Sequence, residues 1–135
     1  MEKEKITVSG KRKTAIAKAT ISRGNGRVLI NKIPYENFDF FRKLAIQEPI
    51  DLTKRVLGGF DFDIIVNVNS GGSQSSIDAS RLAIARALVE FTKSKELKEA
   101  FNNYDKSLLV ADVRRKEPYK PGDSKARAKR QKSYR

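Results

Sequence analysis

Ile6 and Val8 alternate with polar neighbours, which predicts a short first strand. Lys13 to Arg23 repeats that period, with Ala15, Ala17, Ala19 and Ile21 on one face and Thr14, Lys18, Thr20 and Ser22 mostly on the other. Gly24-Asn25-Gly26 follows, made of residues that tolerate positive φ, and then Val28-Leu29-Ile30. Residues 13 to 31 therefore predict a β-hairpin. The cleanest alternation runs from Phe60 to Asn69. Phe60, Phe62, Ile64, Val66 and Val68 point one way, and Asp61, Asp63, Asn67 and Asn69 mostly the other.

Other segments carry helical spacing. Tyr35, Phe38 and Phe41 to Leu44 predict a short helix after Pro34, and Pro49 fits the first turn of a second one that Gly58-Gly59 ends. Gly71-Gly72 breaks the long strand. Ser75 with Asp78 three residues on resembles a capping box, and Ile77, Leu82, Ile84, Ala85, Leu88 and Phe91 form one apolar stripe. That predicts a helix over residues 76 to 93. A last helix starts near Ser94, with Leu97, Phe101 and Tyr104 in phase, and Leu108-Leu109-Val110 adds a short strand or docks extended. The order β-β-β-α-α-β-α-α predicts an α+β two-layer sandwich, with helices packed on one face of a mixed sheet. No internal repeat is visible.

At 135 residues the chain suits one domain. Its 29 Lys and Arg against 16 Asp and Glu leave a formal charge of +13, which points to a polyanionic partner, nucleic acid or an anionic membrane surface. No apolar run approaches the 18 or so residues that cross a bilayer, and Met1 to Lys5 lacks a signal peptide's apolar stretch. The expectation is an intracellular protein. With neither Cys nor His, thiolate nucleophiles, imidazole bases, disulfides and Cys/His zinc sites are excluded. Carboxylate-only metal sites and Ser/Lys chemistry stay open.

The charge is unevenly placed. Residues 1 to 113 hold 19 basic and 14 acidic side chains, whereas residues 114 to 135 hold ten basic and two acidic, +8 in 22 residues. The ten are Arg114, Arg115, Lys116, Lys120, Lys125, Arg127, Lys129, Arg130, Lys132 and Arg135. This segment has no Leu, Ile, Val or Phe to bury, so it is expected to order only on a partner. The chain thus divides into a folded body, 1–113, and an extended basic tail, 114–135, whose expected partner is a polyanion such as RNA. Lacking an apolar stripe, the tail does not suit a membrane surface.

Lys11-Arg12-Lys13, where the first two strands meet, reads as a second contact for RNA on the body, ahead of a solvated turn. Arg81 and Arg86 suit a solvated helix face as well as they suit RNA. Gly71-Gly72 before a helix offers backbone N–H groups to a phosphate, but a plain strand-to-helix turn fits better without a Gly-Lys-Ser/Thr sequence. Asp61 and Asp63 read as a polar sheet face rather than a catalytic pair. The aromatics Phe38, Phe40, Phe41, Phe60 and Phe62 read as core or packing residues.

Four segments together resemble one family: Ser9-Gly10-Lys11-Arg12-Lys13-Thr14-Ala15, Gly24-Asn25-Gly26-Arg27-Val28, Ala83-Ile84-Ala85-Arg86-Ala87-Leu88, and the ending Lys125-Ala126-Arg127-Ala128-Lys129-Arg130-Gln131-Lys132-Ser133-Tyr134-Arg135. The family is the universal ninth protein of the small ribosomal subunit, in its archaeal and eukaryotic branch. The resemblance runs from about residue 5 to the end. It departs at Ser75-Ser76, where the family often has Gly-Gln, and at Val113, where it often has Pro.

The resemblance implies a mostly antiparallel four-stranded sheet backed by helices, with a left-handed βαβ crossover, as in the second domain of the fifth small-subunit protein. It implies a body seated on ribosomal RNA in the subunit head, among neighbouring head proteins. It also implies a tail that threads through RNA toward transfer RNA in the peptidyl site, which brings Lys132, Tyr134 and Arg135 closest to that transfer RNA. No cofactor, metal, small-molecule substrate, membrane or catalytic activity is expected, and the location is the cytoplasmic ribosome. Two rivals fit the composition. One is a free-standing nucleic-acid binder or RNA chaperone; the other is an enzyme, since some small-molecule kinases share the architecture.

Overall fold

The computed structural model describes residues 4–69, 72–105 and 108–109. Strand β1 (Lys5–Arg12) turns back through Lys13-Thr14 into β2 (Ala15–Arg23), with Arg12 opposite Ala15 closing the two-residue loop. Lys13 takes the left-handed conformation that so tight a turn demands, at φ 54°. β3 (Val28–Ile30) and β4 (Ile33–Pro34) form a second hairpin around Asn31-Lys32, both at positive φ, as a type I′ turn requires. A 3₁₀ turn, Tyr35–Asn37, leads into α1 (Phe40–Leu57), and then come β5 (Phe62–Asn69), α2 (Ser73–Thr92) and α3 (Lys95–Tyr104).

The sheet order is β1-β2-β5-β3-β4, antiparallel except for the parallel pair β3 and β5 that α1 connects. The expected α+β sandwich is therefore present, with one more strand than the four expected. The hairpin expected over residues 13 to 31 is not formed. β5 lies between β2 and β3, pairing Ile21 with Ile64 on one side and Val28 with Ile64 on the other. The glycine-rich loop consequently spans a strand instead of joining neighbours.

Asp63 organises that loop. Its Oδ1 accepts from the amides of Asn25 (3.0 Å) and Arg27 (3.2 Å). Gly24 permits the approach, since a Cβ there would stand 2.0 Å from Asp63 Oδ2, and Gly26 holds φ +93°. The loop is locked to β5 by backbone bonds as well, from Gly24 N to Asp61 O and from Ile64 N to Arg27 O. The acidic residue is a structural acceptor here.

The two short helices expected on either side of Pro49 are one helix of 18 residues. Asp39 caps it by accepting from the Arg42 amide, and Gly58 ends it in the left-handed conformation. Pro49 removes one internal hydrogen bond, but Ile46, Pro49, Ile50 and Thr53 are buried along one stripe, and that packing carries the helix through. The Thr53 hydroxyl donates to Pro49 O at 2.8 Å.

α2 packs on β1, β2 and β5, and α1 packs on α2 and α3. It begins three residues earlier than expected, with Gly72 as N-cap and no side-chain cap, so Ser75 lies inside the helix and caps nothing. Ile77, Leu82, Ile84, Ala85 and Leu88 are buried as expected. Ser94 caps α3 by accepting from the Leu97 amide; Leu97 and Phe101 are buried, while Tyr104 is exposed. Leu108 is fully buried in a short turn rather than a strand, and Val110 lies outside the described residues. Phe60 and Phe62 are core, stacked edge to face, but Phe40 and Phe41 are 68% and 81% exposed, against the packing role expected of them. They start α1 on the side away from its buried stripe.

Strand and helix come to backbone contact at Gly10. A Cβ there would lie 2.6 Å from Ala79 O and 2.7 Å from Ala83 N, both backbone atoms of α2. Gly10→Ala should therefore destabilise by about 1–3 kcal/mol, because helix and strand must part. Gly59→Ala, with open space around its Cβ, should stay within about 0.5 kcal/mol of the parent. Urea denaturation of both compares them, and equal midpoints would contradict the packing described. Asp63→Ala strands the Asn25 and Arg27 amides and is expected to lower stability by about 1–2 kcal/mol, read from the same titrations.

Candidate nucleic-acid interface

Alternation along the strands divides the sheet into a covered and an open face. Ala15, Ala17, Ala19, Ile21, Ile64 and Val66 face the helices and are wholly buried. The open face carries Lys5, Thr7, Ser9 and Lys11 from β1, Lys18 and Thr20 from β2, and Ile65, Asn67 and Asn69 from β5. Cross-strand register sets them in rows: Lys11–Ile16–Asn69, Ser9–Lys18–Asn67 and Thr7–Thr20–Ile65. The hydroxyls of Thr7 and Thr20 are 3.2 Å apart. Lys11 and Lys18 are diagonal neighbours, roughly 7–8 Å between backbones.

The basic turn is split by the same alternation. Lys11 projects on the open face and Lys13 sits exposed at the turn, whereas Arg12 faces α2, with Nε 3.7 Å from Asp78 Oδ2. Asp78 also accepts from Gln74 Nε2 at 3.2 Å. The turn thus offers two outward cations, with the arginine between them tying strand to helix. Lys5 and Lys18 join them on the open face. The alternation that placed Lys18 opposite the alanines was the signal for this, but it did not say which face the helices cover.

Arg81 and Arg86 are neither on a solvated face nor directed outward. Arg81 Nη2 pairs with Glu48 Oε2 of α1, and its Nη1 lies 3.7 Å from Asp105 Oδ2, just past α3. Arg86 donates from Nε to Leu109 O at 2.9 Å and from Nη1 to Ser9 O at 3.2 Å. Both guanidinium groups find partners within the fold. Gly72 caps α2 and Gly71 lies outside the described residues. All the tail candidates, from Arg114 to Arg135, also lie outside them.

Among the described residues no cluster of acidic side chains has the arrangement to hold a metal ion. No helix among them is long and apolar enough to cross a membrane. What the arrangement offers chemically is a row of exposed ammonium groups beside hydroxyls and amides. That suits phosphate and sugar oxygens.

Comparison with known proteins bears on this surface. The sequence profile of the family described as ribosomal protein S9/S16 matches residues 10–135. The small ribosomal subunit protein uS9 of Methanococcus vannielii is 49% identical over 129 residues, covering 93% of this chain and 95% of that protein. Its counterpart in Methanococcus maripaludis strain C7 is 50% identical over the same shares. That of Desulfurococcus amylolyticus is 49% identical over 140 residues, 99% of this chain and 96% of the relative. A profile match from the first hairpin through the last basic residue, with relatives half identical along nearly their full length, leaves one conclusion: this chain belongs to the ribosomal protein S9/S16 family.

Proposed function

We propose that this chain is a structural, non-catalytic constituent of the small subunit of the cytoplasmic ribosome. Its body docks on folded ribosomal RNA in the subunit head, beside neighbouring head proteins. Lys11 and Lys13, with Lys5 and Lys18 of the open face, meet phosphates there, and Arg12 holds their turn against α2. The tail, 114–135, orders as it binds and supplies Arg114, Arg115, Lys116, Lys120, Lys125, Arg127, Lys129, Arg130 and Lys132 where phosphates converge. Ala126 and Ala128 between the cations allow close approach to RNA. The last residues, Lys132, Tyr134 and Arg135, reach the anticodon stem-loop of transfer RNA in the peptidyl site.

The observation that carries this proposal is the segregation of charge, +8 in the last 22 residues of a chain whose family match runs to residue 135. A segment that buries nothing of its own gains free energy by replacing condensed counterions on RNA, and arginine adds bidentate and stacking contacts. The ordering entropy is offset at that moment, and not before.

Deleting residues 130–135 removes Arg130, Lys132 and Arg135 while sparing the body. Subunits carrying that deletion should assemble normally and bind transfer RNA in the peptidyl site about tenfold more weakly, the equivalent of one charge-assisted hydrogen bond. Filter binding of transfer RNA to purified subunits measures it. Unchanged affinity would remove the proposed contact with transfer RNA, and failed assembly would reassign these residues to RNA folding.

A further inference from the structure

The helices cover one side of the sheet, and the side they leave open is not uniformly polar. Ile65 is 47% exposed between Ile64 and Val66, both wholly buried. The parallel register sets it opposite Leu29, and Leu29 in turn lies opposite Pro34 of β4. On its other side Ile65 stands opposite Thr20, which pairs with Thr7. One row across the five strands therefore reads Thr7–Thr20–Ile65–Leu29–Pro34, hydroxyl at one end and aliphatic at the other. Ile16, 37% exposed, adds a second apolar point between Lys11 and Asn69.

An aliphatic strip on an open sheet face would ordinarily mark a protein contact, but the charge around this one favours RNA. Lys18 is the diagonal neighbour of Ile65, roughly 7–8 Å away between backbones. Lys5 and Lys11 stand on the same face. Asp63 is the one acidic residue in the five described strands, and its Oδ1 accepts from the amides of Asn25 and Arg27. A protein seated on Ile65 would have to supply carboxylates to Lys18 or bury it unpaired, at high cost. A nucleotide brings its own phosphate.

Phosphate alone leaves Ile65 and Leu29 without a role. In a paired, A-form stretch the bases are stacked on one another, and a protein meets phosphates, ribose hydroxyls and base edges. An aliphatic strip gains by covering a base face, which only an unstacked base offers. We propose that the open face of the sheet holds an unpaired nucleotide of ribosomal RNA, its phosphate on Lys18, its ribose at Thr20 and Asn67, and its base packed on Ile65 and Leu29. This rests on the RNA-binding role proposed above for the body, and names the kind of RNA that the face takes.

Phosphate and base contacts respond differently to salt. Lys18→Gln removes one phosphate contact and should flatten the slope of log affinity against log salt by roughly 0.7–0.9. Ile65→Thr keeps a β-branched residue at a position outside the core, so the strand is preserved. It removes apolar contact and no charge, and should weaken binding about threefold at constant slope. Ile65→Phe gives the base a ring to stack on and should strengthen binding about threefold, again at constant slope.

The experiment uses the full chain and a full-length small-subunit ribosomal RNA transcript, with affinity measured across a salt series for these three variants. In parallel, a photoreactive benzophenone amino acid is placed at position 65 of the full chain, which is assembled into small subunits and irradiated. A crosslink to an unpaired nucleotide is the expected result. A crosslink to a neighbouring protein would make this face a protein interface, and one within a continuous duplex would make the contact a groove; either overturns the proposal. So would unchanged affinity in both Ile65 variants. Changing Lys5, Lys11 and Lys18 together to Gln tests the underlying role separately. If that variant keeps both affinity and slope, the open face does not bind RNA at all. If it loses both while the Ile65 variants are silent, the lysines meet phosphates and only the unpaired base fails.

Discussion

The approach of α2 to the first hairpin at backbone distance governs most of what this fold presents to a partner. Gly10 has no room for a methyl group against Ala79 and Ala83, and β2 shows the helix Ala15, Ala17 and Ala19 where a sheet would ordinarily show larger side chains. Small residues on both sides bring helix and strands together; the bulk of the core then comes from Ile21, Ile64, Ile84 and Leu88. Two arginines exploit the closeness. Arg12 crosses from β1 to Asp78, and Arg86 crosses from α2 to Ser9 O. A larger residue at Gly10 would open both links at once.

A chain of charge +13 has to keep like charges apart while it folds, and it does so by assigning them different tasks. Arg12, Arg81 and Arg86 are turned inward and held by carboxylates or carbonyls. The exposed lysines of β1, β2 and the turn lie on the face that no helix covers. The densest charge lies in the last 22 residues, a segment without Leu, Ile, Val or Phe. Arginine's fork of donors suits the inward role, which asks for several fixed acceptors, and the compact ammonium of lysine suits the outward one.

Local pattern made much of this legible. β1, β2, β5, α2 and α3 follow from periods of two and 3.6, because each buries one face against a single partner layer. The insertion of β5 between β2 and β3 was not legible, since strand order is set by pairing across some 40 residues and the Gly24–Arg27 loop looks like a hairpin turn on its own. Pro49 misled for a related reason: its local preference for a helix start was overridden by burial of the stripe on either side. β4 was missed because two residues carry no period; Asn31-Lys32 was its only sign. At the candidate interface, Lys11 and Lys13 were singled out by residue type and are exposed, while the tail lies outside the described residues. Arg81 and Arg86 were not legible, because a charged residue on a helix says nothing about a partner arriving from the end of α3 or the edge of β1.

The proposed incorporation of this chain into the small ribosomal subunit, through contacts with ribosomal RNA, is what the rest depends on. Sedimentation of a host lysate through a sucrose gradient at high salt, following the chain by mass spectrometry, tests it most directly. The chain should travel with the small subunit in a one-to-one ratio and survive a salt concentration that strips loosely held basic proteins. Recovery of the chain at the top of the gradient would contradict it and favour a free-standing nucleic-acid binder.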